Sequence, residues 1–259
     1  MRVKIAFIVL FSLTACDRPH RPPPIPKSDV DPTAFVGTPK EAAARRQEAQ
    51  VLAAHPGLAE RKGTTLTIHY RGHDLVSYTD DAHGCARYFV ERAVRVFDPD
   101  SGRLEALALV DCHFGTTTNR YLVLPSTGKY ALTDDVAASP DGHHLATSDS
   151  TVTPARGQFI IVEWPDFDRR AAFPAGCRNI QWQDDRHLTA DCWHSDHPNT
   201  LNPYESDAMV FRARIWNDQG QWRMQATQWL HAESFAPLVS TKPLPTFTAV
   251  VKQGVDAPE

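Results

Sequence analysis

Several common catalytic and membrane-spanning signatures are missing from this 259-residue sequence. Beyond the first fifteen residues no apolar run approaches the roughly 20 residues that a transmembrane helix needs, so we expect no membrane-spanning segment. The sequence contains no GxSxG elbow of a serine hydrolase, no glycine-rich phosphate-binding loop and no CxxC pair. These absences argue against an elbow-type nucleophile, nucleotide binding and a cysteine-based metal site.

The sequence also lacks an excess of positive charge. It contains 27 Lys and Arg against 31 Asp and Glu, for a net charge of −4. Residues 1–15 hold two of those basic residues, so a chain without them would keep 25 and carry a net charge of −6. Since nucleic-acid-binding proteins present basic surfaces, we expect no nucleic-acid partner. The contents of 42% hydrophobic and 22% charged residues are those of an ordinary folded domain.

The N-terminus has the pattern of a bacterial export signal. Arg2 and Lys4 precede the apolar run IAFIVLF and the small residues SLTAC, and we assign residues 1–15 to a signal peptide. The residues LTAC resemble the lipobox of bacterial lipoproteins, which implies that Cys16 is lipidated and becomes the first mature residue. An ordinary signal peptide followed by a chance cysteine is the alternative interpretation.

Lipidation of Cys16 would place the protein in the cell envelope, facing the periplasm. Several acyl chains anchor a protein stably to membrane lipid, whereas one chain binds only marginally. In enteric lipoproteins an aspartate after the lipidated cysteine is a sorting signal, so by this resemblance Asp17 favours the inner membrane.

A tether and a helix follow the lipobox. Residues 16–37 are rich in proline, which favours an extended polyproline II spacer, with a proline-rich ligand for another protein as the alternative. We predict a helix over residues 38–56, because Thr38, Pro39 and Glu41 form a helix start and His55-Pro56-Gly57 a stop. Its alanine-rich composition predicts light packing on the domain or an exposed stalk, and a partner-binding helix is the alternative.

Residues 64–252 read as a β domain of short strands separated by turn signals. Three long hairpins, VRVFDPDSGRLEALALV, FIIVEWPDFDRRAAF and MVFRARIWNDQGQWRMQATQW, each follow a tighter strand pair. Leu145 and Leu188 occupy equivalent places 43 residues apart, within the 40 to 45 residues of a propeller blade. The hairpin RYLVLPSTGKYALTD is an extra element between the first and second units.

This pattern resembles the blades of WD40-like β-propellers, above all at SPDGHHLA. The resemblance implies an all-β, propeller-like array of about three four-stranded antiparallel blades plus the extra hairpin, with one N-terminal helix. Three blades cannot close a ring that normally needs at least four. The extra hairpin together with a strand at TFTAVVK could supply a fourth, irregular blade, and a β-sandwich is the alternative fold.

Four cysteines besides Cys16 would meet an oxidising compartment, so we expect two disulfides. Cys177 and Cys192 lie at equal distances from a turn at Asp184-Asp185, and strand residues that face each other are within disulfide reach. The apolar pattern of the two strands fits this pairing only with a one-residue bulge near Arg178. By elimination Cys85 pairs with Cys112, and metal ligation by the cysteines is the alternative.

No set of histidines or carboxylates indicates a defined active site. His69 with His73, and His194 with His197, are weak metal candidates, because neither pair follows a HExxH pattern on a helix. Two placed carboxylates would make a glycosidase, and Glu91, Glu105 and Glu163 are present without a pattern that pairs them. We assign no catalytic residue, no metal site and no cofactor.

The sequence therefore favours a non-catalytic role, although it leaves catalysis open. We expect a membrane-anchored periplasmic lipoprotein whose β domain binds another envelope protein, with an inhibitor or immunity protein as a narrower hypothesis. A metal- or carboxylate-dependent hydrolase and a structural component of an envelope assembly are the alternatives.

Replacing the lipobox cysteine tests the anchor. We expect Cys16→Ser to leave the protein in the soluble fraction of disrupted cells and to abolish its labelling by radioactive palmitate, because no thiol remains to receive the acyl chains. Cys85→Ser removes a different cysteine and should keep both the label and the membrane fraction. Palmitate labelling of the Cys16→Ser chain would contradict the assignment.

Overall fold

The computed structural model describes residues 31, 33–81, 85–115, 117–125, 130–132, 135–149, 158–166, 168–194 and 209–249. The predicted signal peptide at residues 1–15, Cys16, Asp17 and His197 lie outside these residues. Within them the chain forms one α-helix and seventeen β-strands, so the predicted all-β class with an N-terminal helix is confirmed. The helix in this part of the chain is neither long nor apolar enough to cross a membrane.

The strands form four antiparallel sheets, in which strands that follow one another in sequence are neighbours, except that the last of these strands pairs with the strand two before it. Helix α1 (Pro39–Ala54) precedes them. The first sheet contains β1 (Ala59–Lys62), β2 (Thr65–Tyr70) and β3 (His73–Thr79), and the second contains β4 (Arg87–Asp98), β5 (Arg103–Phe114), β6 (Thr117–Val123) and β7 (Tyr130–Leu132). The third contains β8 (Asp135–Ala138), β9 (His144–Asp149), β10 (Gln158–Glu163) and β11 (Asp168–Phe173). The fourth contains β12 (Gly176–Asp184), β13 (His187–His194), β14 (Met209–Asp218), β15 (Gln221–Leu230), β16 (Pro237–Leu238) and β17 (Thr246–Thr248).

The third and fourth sheets have the predicted grouping, whereas the first half of the domain does not. The strand pair β2–β3 joins β1 in a separate sheet and does not continue into β4–β5. The hairpin β6–β7, predicted as an insertion, completes the second sheet by pairing along β5 from Leu109 to Phe114. The strand in TFTAVVK pairs with β15 and not with that hairpin, so the predicted fourth, irregular blade is wrong in its composition.

Successive sheets pack face to face through shared apolar cores. The first and second sheets and α1 share one core, containing Leu58, Leu66, Ile68, Val90, Ala108, Val110 and Val123. A second core joins the second and third sheets and contains Val94, Val96, Leu107, Leu109, Leu122, Val136, Leu145, Ile160 and Val162. The largest core joins the third and fourth sheets and includes Phe159, Ile161, Phe173, Leu188, Phe211, Ile215 and Met224. The result is a stack of four blade-like sheets, none of which closes on itself within the described residues.

The SPDG turn anchors the third sheet to the second. The amide of Gly142 donates to the carbonyl of Ser139 over 2.9 Å, as the predicted type I turn requires. Gly142 has a φ of +75°, and a Cβ atom there would collide with the backbone of Phe97. Its carbonyl accepts from the Phe97 amide over 3.0 Å, so the glycine permits this close approach of the two sheets.

Both predicted disulfides are present. Cys85 is bonded to Cys112 and Cys177 to Cys192, with Cα–Cα distances of 5.3 and 4.1 Å. The register between β12 and β13 shifts between Arg178 and Gln181, where the sequence required a bulge. A second shift between Trp182 and Asp184 moves the turn to residues 185–186, one residue beyond the predicted turn.

The disulfides mark a repeat that relates the second sheet to the fourth. Each bonded cysteine on the second strand of its sheet follows an aspartate, as Asp111-Cys112 on β5 and as Asp191-Cys192 on β13. Each aspartate faces an arginine on the third strand, Arg120 on β6 or Arg212 on β14. The recurring Asp-Cys dipeptide is a sequence signal that relates these two sheets.

Removing one disulfide should lower stability without changing the fold. For the double variant Cys177→Ala, Cys192→Ala we expect a loss of about 3 kcal/mol in the free energy of unfolding, because the bond closes a loop with a sequence separation of 15 residues. For Cys85→Ala, Cys112→Ala, with a separation of 27, the same chain-entropy model gives about 3.5 kcal/mol.

Denaturant unfolding of the oxidised protein and of the two variants measures both losses. Peptide mapping without reductant should first recover each bonded pair. Free thiols at Cys177 and Cys192 in periplasmic material would contradict the assignment.

Candidate functional site

A cleft lies where α1 ends, between the first and second sheets. It has a volume of about 370 Å³, within the range of small-ligand pockets. Ala54, Leu58, Leu104 and Ala106 supply apolar walls. The polar groups around it are His55, His69, Tyr70, Arg71, Arg95 and Glu105.

Buried carboxylates hold the helical wall of this cleft. Glu48 of α1 is 5% exposed, and its carboxylate accepts from Nε and Nη2 of Arg61 over 2.7 and 2.9 Å and from the Val90 amide over 3.0 Å. The helix therefore lies on β4, while most of its residues stay exposed, so the predicted light packing fits and the exposed stalk does not. The contact combines the buried Glu48 with the partly buried Val51 and Leu52, which pack against the core below.

Glu41 performs a second docking role at the other end of α1. Thr38 caps the helix by accepting from the Glu41 amide, and the Glu41 carboxylate accepts from the amide of Gly37, one residue before the cap, so the arrangement is close to a capping box. It also accepts from Nη2 of Arg45 over 2.7 Å and from Nε of Arg87 over 3.0 Å. Burial opposes ionisation, but these hydrogen bonds and the two guanidinium groups lower the pKa of Glu41 to about 2.

A tight turn positions the opposite wall. Arg71 and Gly72 both have positive φ, 51° and 77°, as a two-residue type I′ hairpin between β2 and β3 requires. Positive φ is unfavourable for arginine. The Arg71 guanidinium is paired with buried Asp98 and with Asp100, at 2.7 Å for Asp100, so the turn is fixed to the β4–β5 turn.

The rim of the cleft combines the partly buried phenol of Tyr70 with the unpaired guanidinium of Arg95. Burial raises the pKa of Tyr70, with Arg71 opposing and the carboxylates of Glu105 and Asp100 adding to the shift. Arg95 is exposed, and within the described residues its guanidinium makes no hydrogen bond or ion pair. An apolar floor beside a free guanidinium suits a ligand with an apolar side chain next to a carboxylate.

A neighbouring groove of about 350 Å³ extends this surface toward the third sheet. It runs between β4 and β8, from residues 92–95 to residues 136–140, and shares Arg95 and Leu104 with the cleft. Arg95 therefore lies where the two depressions meet, and together they form one surface that we call the Arg95 surface.

A second group of charged side chains lies near the first half of β4. Glu91 occupies a β-bulge in β4 near Arg92, Asp111, Arg120 and Asp135. Burial raises the pKa of Glu91, the two guanidinium groups oppose the shift, and the two aspartates add to it. Asp135 pairs with Arg92 of β4 and accepts from an amide of β12, so this group ties three sheets together.

The three carboxylates considered for glycosidase chemistry lie in different surroundings. Glu91 belongs to the charged group just described, Glu105 lines the cleft, and Glu163 is paired with Arg170. Each has its own neighbours, and the structure does not bring them together as a catalytic pair.

The first pair of weak metal candidates does not converge. His69 and His73 flank the Arg71-Gly72 turn, and Nδ1 of His69 bonds Oδ1 of Asp74 over 2.7 Å. His69 faces Asp74 across the hairpin, while His73 faces Tyr70 one position further on, so the two imidazoles point to opposite sides of the sheet.

The second pair is only partly described, because His197 lies outside the described residues. Nδ1 of His194 bonds the carbonyl oxygen of Pro174, and the His194 ring packs on Phe247 with centroids 5.3 Å apart. Among the described residues no group of three or more His, Cys, Asp or Glu side chains could hold a metal ion.

Comparison with known proteins returned no relative: no family model, no curated protein and no solved structure matches the chain.

Neutralising Glu41 should change how stability depends on pH. Because the pKa of Glu41 is about 2 in the folded chain against an ordinary 4.5, its ionised form stabilises the fold above pH 4.5, and this contribution is lost as the pH falls from 4.5 toward 2. We expect the wild type to be more stable than Glu41→Gln near neutral pH and the difference to shrink in acid.

Urea unfolding from neutral pH down to about pH 3 measures this difference. Glu60→Gln, which alters an exposed glutamate paired with Lys62, is the matched control and should show little change. A difference for Glu41→Gln that stays constant with pH would contradict the ionic docking of α1.

Proposed function

We propose that the chain is a membrane-anchored lipoprotein of the bacterial envelope, facing the periplasm, and that it binds another envelope protein without catalysing a reaction. The lipobox-like residues ending at Cys16 support the anchor, and Asp17 favours the inner membrane. Twenty residues of proline-rich chain would extend about 60 Å in a polyproline II conformation, so the domain could reach a partner well away from its anchor.

The Arg95 surface is the observation that carries the binding proposal. Hot spots in protein interfaces are pockets that receive an apolar or charged anchor, surrounded by contacts that exclude water. Here two adjoining depressions of about 370 and 350 Å³ meet at an exposed arginine that has no partner within the described residues. We infer that a loop of the partner inserts an apolar side chain beside Leu104 and places a carboxylate on Arg95.

Site-directed photo-crosslinking can test this surface in cells that make the full-length protein. A photoreactive amino acid replaces Glu105, which lines the cleft, or Arg103, which is exposed on the same strand outside the cleft. We expect one dominant protein adduct from position 105 and none from position 103. Equal adducts from both positions, or no protein adduct from position 105, would refute the assignment.

Charge reversal at Arg95 gives a second test. Since Arg95 is exposed and unpaired within the described residues, Arg95→Glu should preserve the melting temperature while lowering the yield of the position-105 adduct at least about tenfold. Arg103→Glu should leave that yield unchanged. If the captured partner is an enzyme whose activity falls on binding, the narrower inhibitor or immunity role gains support.

A further inference from the structure

The fourth sheet has one buried face and one polar face. Along β13 and β14 the residues that alternate with the core are hydrophilic, apart from Trp216 and, at the end that Phe235 covers, Trp193 and Val210. This second face, which we call the outward face, carries Gln181, Thr189, Asp191, Arg212, Arg214 and Trp216. At one end it is covered by Phe235, which packs with Trp193, Val210 and Leu230.

A polar pocket of about 200 Å³ lies in the middle of the outward face. Its base is Asp191, which is 4% exposed and whose two carboxylate oxygens accept from Nε of Arg212 over 2.8 Å and from Nδ2 of Asn179 over 2.9 Å. Asn179 lies at the bulge of β12 with a φ of 54°. The carboxylate therefore holds both neighbouring side chains in place before any ligand arrives.

Both hydrogen-bond donors and hydrogen-bond acceptors that line the pocket are available to a ligand. Within the described residues the Nη groups of Arg212, the amide of Gln181 and the hydroxyl of Thr189 have no partner. These groups supply donors and acceptors side by side, which is the pattern that vicinal hydroxyl groups satisfy, since each hydroxyl both donates and accepts. The charges of Asp191 and Arg212 cancel, so the pocket favours a neutral ligand over an ion.

A stacking platform lies further along the same strand. Trp216 is four residues beyond Arg212 on β14, which corresponds to about 13 Å at the rise of a strand. Its ring is partly exposed, and the Arg214 guanidinium lies over the ring, 5.8 Å from the centroid. A partly exposed indole offers an apolar face for the C–H face of a ring and a polar edge toward water.

From these observations we propose that the outward face binds a neutral oligosaccharide. One sugar ring lies in the pocket and hydrogen-bonds Gln181, Thr189 and Arg212, and a ring further along the chain stacks on Trp216. This site is separate from the Arg95 surface, which lies on the first, second and third sheets, and it adds a ligand of a different class to the proposed protein partner.

Titration with defined sugars tests the proposal. The full-length protein, in a detergent without a sugar head group, is titrated with neutral tetrasaccharides of glucose and of N-acetylglucosamine, and binding is followed by tryptophan fluorescence and by calorimetry. We expect saturable binding of at least one tetrasaccharide. The double variant Gln181→Ala, Thr189→Ala should weaken it about tenfold, the effect of losing two hydrogen bonds, and Trp216→Ala by a similar factor.

Melting temperatures and the Arg95 variant provide the controls for the sugar titration. Gln181 is exposed and Thr189 partly so, so their variants should keep the wild-type melting temperature. Arg95→Glu should not affect sugar binding, and the outward-face variants should not affect the position-105 crosslink, so the two proposals fail independently. No binding of either tetrasaccharide, binding that both variants leave unchanged, or preferential binding of phosphate or acetate would overturn the saccharide assignment.

Discussion

Burial of both faces of the middle sheets is the constraint on which the structure depends. A strand in such a sheet must be apolar on its two sides, and β4 meets this demand with a bulge at Glu91. Val90 packs in the core toward the first sheet, whereas Val94 packs toward the third. Without the extra residue these two valines would face the same side, so the bulge lets one strand supply both cores and also turns Glu91 toward its charged neighbours.

The sequence contained enough local information for several elements and too little for others. The SPDG turn and the bond from Cys177 to Cys192, bulge included, follow from residues close together in the chain, where turn chemistry and alternation act directly. Strand β1 has the sequence AERK and is recognisable only through its pairing with β2. The Arg95 surface is formed by residues of the first, second and third sheets and of the end of α1. Because these residues are far apart in the sequence, no short segment could indicate the surface. The docking of α1 through Glu48 needs Arg61 and the Val90 amide, 13 and 42 residues away.

Buried carboxylates fix the relative positions of strands throughout the domain. The pairs of Asp111 with Arg120 and of Asp191 with Arg212 join residues that face each other across adjacent strands. A slip of one residue would leave each carboxylate buried without its cation, at a cost larger than the gain from the pair itself. Such pairs therefore specify register more than they add stability. At Asp191 the same pairing uses only Nε of Arg212 and leaves its Nη groups available at the pocket of the outward face.

Cys177 and Cys192 belong to one sheet, and Cys85, just before β4, is bonded to Cys112 of the neighbouring strand β5, so in the described part of the chain no disulfide runs from one sheet to the next. A force applied to the residues that precede α1 would act first on the contact between the helix and β4. It would then separate the sheets from one another, beginning with the first sheet. The two bonds would not prevent this separation, but they would limit its extent. With separations of 27 and 15 residues, they withhold about 90 Å and about 50 Å of chain from full extension.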